Sequence, residues 1–200
     1  MCQFIESIAV VDGIPLNLAY HQARVEHALH IWGGDTLHLP LKQCMESLPH
    51  MDGKCKARII YNDRGELITS QIAPYKMRKI SSLQLVIDND IDYSFKWTDR
   101  SSLANLVARK GEADEIIIVR NGLLTDTSYS NIALFDGTRW YTPSQPLLRG
   151  TMRQYLLDED RLSEADIPAE ELSRYTHISL INAMMPLGEC QIPVSQVFRI

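Results

Sequence analysis

The segment Ser94-Phe95-Lys96-Trp97-Thr98-Asp99-Arg100 carries a lysine between two aromatic residues, shortly after the acidic stretch at 88–92. An apolar setting disfavours a charged ammonium and lowers the pKa of an amine, which suits an amine that forms a Schiff base. Most lysines are simply solvated charges, so this context alone leaves the role of Lys96 open. Lys96 is therefore a candidate catalytic residue that the neighbouring segments have to support.

The residues before this segment predict a strand, two helices and a hairpin. The β-like residues 4–11 end at the turn signal Asp12-Gly13. Asn17 is expected to cap a helix whose apolar residues recur at helical spacing as far as Gly33-Gly34. Further expected elements are a short helix at 41–48, hairpin strands at 56–61 and 66–73, and a strand at 83–87.

The residues after Lys96 predict a helix at 101–109, then a strand meander, then a helix from Gly150 to about residue 157. The meander strands are expected at 115–119, 123–126, 132–135 and 139–142, with later strands at 178–182 and 193–200. Hairpins mixed with isolated helices favour an α+β fold over a parallel doubly wound sheet. The acidic stretch favours a boundary between two lobes, at 1–90 and 91–200.

Three further positions could bind a ligand, although each also has an ordinary structural explanation. Asp126 follows a strand and could pair with a pyridinium nitrogen, or be a turn aspartate. Gly150-Thr151 precedes a helix whose N-terminal N–H groups could hold a phosphate, or the threonine could be a plain cap. Arg58 could make a bidentate phosphate contact, or be an edge arginine.

Composition limits the classes of function. Lys and Arg total 20 and Asp and Glu total 25, so the net charge is −5, and nucleic acid or an anionic membrane is a poor partner. No apolar stretch approaches the ~20 residues of a membrane span, and the first residues lack the basic segment of a signal peptide. The four cysteines have no CxxC spacing, which favours reduced thiols in a cytoplasmic protein.

A histidine-rich helix invites a metal interpretation. His21, His27 and His30 share the first predicted helix with Glu26, but a metal site would also need a third ligand and a dry cleft. We expect a half-solvated helix face there and no metal. The sequence contains no HExxH, P-loop, GxSxG or GxGxxG motif.

Taken together and in order, these segments resemble the fold-type IV enzymes that use pyridoxal 5′-phosphate (PLP), the class IV aminotransferase family. This family includes branched-chain and D-amino-acid aminotransferases and 4-amino-4-deoxychorismate lyases, and the resemblance covers nearly the whole chain. The segments that carry it are Ile5-Glu6-Ser7-Ile8 with Asp12-Gly13, His21-Gln22-Ala23-Arg24, Phe95-Lys96-Trp97-Thr98-Asp99-Arg100, Ala113-Asp114-Glu115, Asp126 with Asn131 five positions later, Trp140-Tyr141-Thr142-Pro143, Leu148-Arg149-Gly150-Thr151-Met152-Arg153, and Ile181-Asn182-Ala183-Met184-Met185-Pro186. The last of them is more similar to the lyases than to the aminotransferases.

The resemblance implies a two-lobed α+β fold similar to D-amino-acid aminotransferase, with PLP between the lobes and a homodimer as the assembly. Lys96 would be the catalytic residue and would form the Schiff base with PLP, while Asp126 would face the pyridine nitrogen. Asn182 and Ala183 would border the phosphate or the substrate. The remaining cofactor-binding residues would be Arg58, Asn131, Gly150, Thr151 and Met152.

Three departures from the family pattern bear on activity. Asp126 stands where the family usually has glutamate, the chain starts late and is expected to lack the first strands, and Ser101 stands near the place where aminotransferases often have a tyrosine. The last departure favours a lyase that converts 4-amino-4-deoxychorismate to 4-aminobenzoate and pyruvate for folate biosynthesis. The alternatives are a branched-chain or D-amino-acid aminotransferase, and a PLP-binding protein without turnover.

Overall fold

The structure is a computed structural model and describes residues 2–34 and 37–199. The chain divides into two compact units, Met1–Met77 with Phe95–Asp99, and Arg78–Ser94 with Arg100–Ile200. The predicted boundary at residue 90 does not coincide with this division. The strand predicted at 83–87 belongs to the second unit, whereas Lys96 belongs to the first and not to the C-terminal lobe in which we expected it.

The first unit is a four-stranded antiparallel sheet with two helices. The strand order is β2-β1-β3-β4, and the predicted strand, helices and hairpin are confirmed with small shifts at their ends. Asn17 does precede the first helix, but it has a left-handed φ of 54° and its side chain makes no capping hydrogen bond. The elements are β1 (Gln3–Val11), β2 (Ile14–Pro15), α1 (Leu18–Gly33), α2 (Leu41–Glu46), β3 (Lys54–Asn62) and β4 (Leu67–Pro74).

The core of the first unit lies between this sheet and α1. Successive side chains of a strand point to opposite faces, so one face of β3 enters the core and the other does not. The buried members of this core are Phe4, Ile8, Val10, Val25, Ala28, Leu29, Leu39, Leu41, Cys44, Cys55, Ala57, Ile59 and Tyr61.

The segment 95–99 joins the first unit because it pairs with the free edge of β1. The Ile5 N–H donates to the Lys96 carbonyl at 2.9 Å, and the Thr98 N–H donates to the Gln3 carbonyl at 3.0 Å. The rings of Phe4 and Trp97 stack with centroids 4.7 Å apart. These contacts link residues more than ninety positions apart, so sequence-local signals could not assign the segment.

The second unit contains two sheets, ordered β13-β5-β6-β7 and β10-β9-β8-β11-β12. Most predicted strands and both helices are confirmed, but β5 pairs with β6 in parallel, as do β13 with β5 and β10 with β9. The elements are β5 (Leu83–Ile87), α3 (Ser101–Val107), β6 (Glu115–Arg120), β7 (Leu123–Leu124), β8 (Asn131–Phe135), β9 (Trp140–Pro143), α4 (Thr151–Asp158), β10 (Ser163–Ala165), β11 (His177–Ile181), β12 (Gln191–Pro193) and β13 (Val197–Phe198).

The C-terminal region differs most from expectation. The strand predicted over 193–200 is interrupted by a 3-10 turn at Val194–Gln196, and only Val197–Phe198 pairs; Ile200 lies outside the described residues. The sequence did not predict β10, β12 or the 3-10 helix at Ala169–Arg174. None of the helices within 2–34 and 37–199 is long and apolar enough to cross a membrane.

Candidate active site

Asp126 is a buried carboxyl that the second unit holds in a fixed orientation. It is 4% exposed, and its Oδ1 accepts a hydrogen bond from Asn131 Nδ2 at 2.8 Å while Oδ2 accepts one from the Leu148 N–H at 2.9 Å. Burial raises the pKa of Asp126 to about 6, although these hydrogen bonds oppose the rise. Asp126 is therefore a carboxyl that can change its charge near neutral pH, and not an exposed turn aspartate.

Asn131 connects Asp126 to the start of α4. Its Nδ2 also donates to the Leu148 carbonyl at 2.8 Å, and a Cβ on Gly150 would lie 1.9 Å from its Oδ1. A residue with a side chain at position 150 would therefore clash with Asn131, and glycine fits there because it has no Cβ. Gly150 makes no side-chain capping hydrogen bond, and the first turn of α4, at Thr151 and Met152, is a helix N-terminus of the kind that attracts anions.

A buried arginine, Arg153, fixes the first turn of α4. Arg153 is 3% exposed and donates to the Pro143 carbonyl at 2.8 Å and to the Glu164 carboxylate at 2.5 Å. These bonds tie the first turn of α4 to β9 and β10. The sequence motif contained Arg153, but its bracing role depends on contacts that spacing does not show.

Replacing Gly150 with alanine should disturb both neighbours at once. The added methyl group would force Asn131 away and break its hydrogen bonds to Asp126 and Leu148, so we expect a loss of about 2 kcal/mol in the free energy of unfolding and weaker PLP binding. Urea unfolding and a PLP titration measure the two effects. A variant that kept the stability and PLP affinity of the unmodified protein would contradict this arrangement.

Asn182 contacts the loop between Asp126 and Asn131. Its Nδ2 donates to Ser130 Oγ at 3.0 Å, and its Oδ1 accepts from the N–H groups of Met184 and Met185 at 2.8 and 3.1 Å. Asn182 therefore shapes the turn that contains Ala183 and joins it to the loop. The contact of Asn182 and Ala183 with a substrate stays a prediction.

Lys96 and Arg58 belong to the first unit. The backbone at Lys96 makes a tight turn in which the Trp97 N–H donates to the Phe95 carbonyl at 2.9 Å. The Phe95 and Trp97 rings contact Trp32 at centroid distances of 5.8 and 5.0 Å. The residues before and after the half-buried Lys96 are therefore both held by packing. Arg58 is exposed, and its contact with a phosphate stays a prediction.

The sequence interpretation missed a buried charge cluster in the first unit. Glu6 Oε2 lies 2.5 Å from His21 Nδ1, and Arg24 donates to Glu6 through Nε at 2.8 Å and through its terminal nitrogen at 2.6 Å. Glu6 is 1% exposed and His21 is 0% exposed. The half-solvated face that we expected at His21 is therefore wrong, because His21 points into the core to reach a carboxylate.

Burial and neighbouring charges shift the pKa values of Glu6 and His21. Burial alone would raise the pKa of Glu6, but the charge of Arg24 and the hydrogen bond with His21 outweigh it and lower the pKa to about 2. Burial lowers the pKa of His21 although the hydrogen bond and charge of Glu6 oppose this shift, and the charges of Arg24 and Lys96 act in the same direction as burial. A signal was present in the sequence, since Glu6 alternates with Phe4 and Ile8 on the buried face of β1.

Comparison with known proteins decides the family. A model described as amino-transferase class IV matches residues 3–192. The chain belongs to this family. Its members use PLP, so the chain is a PLP-dependent enzyme of fold type IV, and the predicted family, fold class and cofactor are confirmed.

Three relatives illustrate the range of similarity. An uncharacterized protein of Haemophilus influenzae is 34% identical over 194 residues, which cover 92% of this chain and 98% of its own. A crystal structure from Haemophilus somnus, provisionally named as a 4-amino-4-deoxychorismate lyase, is 34% identical with a TM-score of 0.85, covering 94% of this chain and 98% of its own. A provisionally named amino-acid aminotransferase from Mesorhizobium loti is 19% identical with a TM-score of 0.79 over both complete chains, which shows a shared fold.

The residues of this class IV family member fit PLP. The cofactor requires an amine, a partner for its pyridine nitrogen and an anion site for its phosphate. Lys96 would supply the amine, Asp126 would supply a buried carboxyl with a raised pKa, and the start of α4, which follows a glycine, would supply N–H donors. Asp126, Asn131, Gly150, Thr151, Met152 and Asn182 lie in one unit, whereas Lys96 and Arg58 lie in the other.

Proposed function

We propose that this enzyme converts 4-amino-4-deoxychorismate to 4-aminobenzoate and pyruvate, a step of folate biosynthesis. The observation that carries the proposal is the similarity to the Haemophilus somnus protein, 34% identical along 98% of that chain. The segment 181–186 and Ser101 support a lyase over an aminotransferase. A homodimer is part of the proposal, and sedimentation of the purified protein tests it.

The reaction breaks two bonds of the substrate and needs no second substrate. PLP, when bound, withdraws electrons from the substrate carbon that bears the amine. We propose that the Lys96 amine removes the proton from that carbon and returns a proton to the departing enolpyruvate. The electrons of the broken C–H bond form the aromatic ring, and those of the broken C–O bond leave with pyruvate, so the atoms balance without water.

The other residues would hold and tune the reacting groups. Asp126 would place its carboxyl against the pyridine nitrogen, and its burial would keep water from that contact. The N–H groups at the start of α4 would hold the phosphate. Asn131 would fix the position of Asp126 relative to the start of α4, because its amide group contacts both Asp126 and the segment that leads into α4.

A product assay tests this function directly. Addition of 4-amino-4-deoxychorismate to the PLP-loaded protein should release 4-aminobenzoate and pyruvate in equal amounts without an added keto acid. The Lys96→Ala protein is the control and should release neither. Turnover that requires a keto acid acceptor would instead establish an aminotransferase, and a PLP spectrum that responds to no amine would establish a binding protein without turnover.

The substitution Asp126→Asn separates lyase chemistry from transamination. A carboxylate beside the pyridine nitrogen keeps it protonated and strengthens electron withdrawal. Transamination depends on electron withdrawal by the pyridine ring at every step. In the lyase reaction, by contrast, the departing pyruvate carries electrons away, so the reaction depends less on the ring. We expect the variant to retain PLP and a measurable part of the pyruvate release, and to lose nearly all transamination in a coupled assay.

The companion variant is Asp126→Glu, which restores the length usual in the family. It should bind PLP at least as well as the unmodified protein if the pocket has room for one more methylene. If Asp126→Asn left the PLP spectrum and both activities unchanged, Asp126 would not contact the cofactor.

A further inference from the structure

Arg153 is a buried cation whose charge is only partly compensated. Besides its bond to the Pro143 carbonyl, its guanidinium bonds to the Glu164 carboxylate, which is 51% exposed. Among the residues that the structure describes, no hydrogen-bond acceptor reaches the buried Nε of Arg153. Water screens an exposed carboxylate much more than a buried guanidinium. The positive charge of Arg153 therefore extends into the interior of the second unit.

Strand pairing places Pro143 close to Asp126. Asp126 forms a bridge with Asn131 at the start of β8, and β11 occupies the opposite edge of β8 at that position. β9, which ends at Pro143, pairs with the same edge of β8 as Asp126. Thr142 donates its hydroxyl to the Ile132 carbonyl at 2.9 Å, so the end of β9 lies beside the start of β8. The Cα atoms of Pro143 and Asp126 should therefore lie within about 10 Å of each other.

The charge of Arg153 acts on a carboxyl whose ionisation is closely balanced. Burial raises the pKa of Asp126 to about 6, whereas the hydrogen bonds to its oxygens and the charge of Arg153 lower it. Asp126 is therefore mostly ionised at neutral pH, but a further rise of its pKa to about 7 would leave roughly half of it protonated. Only the ionised form offers a negative charge to a protonated pyridine nitrogen.

We propose that Arg153 is a positioning residue whose buried charge keeps Asp126 ionised at neutral pH. The consequence for PLP rests on the proposed function, in which Asp126 faces the pyridine nitrogen. Arg153 would then act on the cofactor through Asp126 and without contacting it. Glu164 would set the strength of this effect, because its carboxylate opposes the charge of Arg153.

Carboxyl ¹³C NMR of the PLP-free protein, labelled at aspartate, tests the proposal without any turnover. The Asp126→Asn variant identifies the Asp126 resonance. Arg153→Gln should raise the titration midpoint of Asp126 by about 0.5–1 pH unit, because it removes a nearby positive charge. Glu164→Gln should lower the midpoint by a smaller amount, because it removes the half-exposed carboxylate that opposes Arg153.

Two further variants separate the charge of Arg153 from its packing. Arg153→Lys keeps the charge and should leave the Asp126 midpoint nearly unchanged, even where the lost hydrogen bonds lower stability. Arg161→Gln is the matched control, since Arg161 is an exposed arginine just after α4, and it should not move the midpoint. Opposite shifts in Arg153→Gln and Glu164→Gln support the proposal, and any other pattern in these two variants overturns it. If Arg153→Gln does not fold, a lower midpoint in Glu164→Gln supports the proposal and an unchanged or higher one overturns it.

PLP titrations at pH 7 and pH 8.5 separate this proposal from the proposed function. Arg153→Gln should weaken PLP binding more at pH 7, where part of Asp126 becomes protonated, than at pH 8.5. This pH dependence should vanish when Asp126→Asn is also present. Shifted NMR midpoints with an equal loss of PLP affinity at both pH values would support the action of Arg153 on Asp126 and refute the contact of Asp126 with the pyridine nitrogen. Neither measurement uses pyruvate release, so a failure of the lyase function would be recognised separately.

Discussion

Replacing Lys96 with alanine should lower turnover by at least about 10³-fold, because the variant loses both the amine that bonds to PLP and the group that moves the substrate proton. Weak PLP binding can persist, since Asp126 and the start of α4 belong to the other unit. Borohydride reduction of the unmodified protein should attach the cofactor irreversibly to the peptide that contains Lys96. Peptide mass spectrometry and an assay of pyruvate release measure the two effects.

Lys42→Ala is the matched control for this prediction. Lys42 lies in α2 with its side chain 82% exposed, so its removal should change neither turnover nor the reduced product. Recovery of the reduced cofactor on a different lysine would show that Lys96 is not the catalytic residue.

Replacing Glu6 with glutamine should lower the free energy of unfolding by about 3 kcal/mol. The carboxylate is 1% exposed and bonds to both His21 and Arg24, so the variant would leave the largely buried Arg24 guanidinium without its counter-ion and the buried His21 ring without its carboxylate partner. Urea unfolding at neutral pH measures the loss. Glu46→Gln removes a carboxylate that is 63% exposed and should change stability by less than about 0.5 kcal/mol; an equally small effect at Glu6 would contradict the prediction.

The same variant should have a different pH profile. The pKa of Glu6 is about 2 in the folded protein and 4.5 ordinarily, so the unfolded chain takes up the proton first and stability falls as the pH drops from 4.5 towards 2. The lowered pKa of His21 acts in the same sense below its ordinary value of 6.5. The raised pKa of Asp126 acts oppositely, adding stability as the pH falls from about 6 to 3.8. The stability difference between unmodified protein and Glu6→Gln should therefore shrink between pH 5 and pH 3, which urea midpoints at both values test.

Several features could be predicted from the sequence because their causes are local. The hairpin of β3 and β4 follows from alternating apolar residues around a short polar turn, and α4 follows from a glycine that precedes helix-forming residues. The Lys96, Asp126 and Gly150 segments, in that order, resemble those of the class IV aminotransferases, and this resemblance predicted the family and its cofactor.

Tertiary structure alone decided which side chains meet. The pairing of residues 95–99 with β1, the Asp126 contact with Leu148 and the burial of Glu6 against His21 and Arg24 all join distant parts of the chain. The face on which Arg58 lies depends on strand register, and a shift of one residue would turn it to the opposite face. Spacing along the chain shows which groups are available, but burial and register determine their partners and their charge.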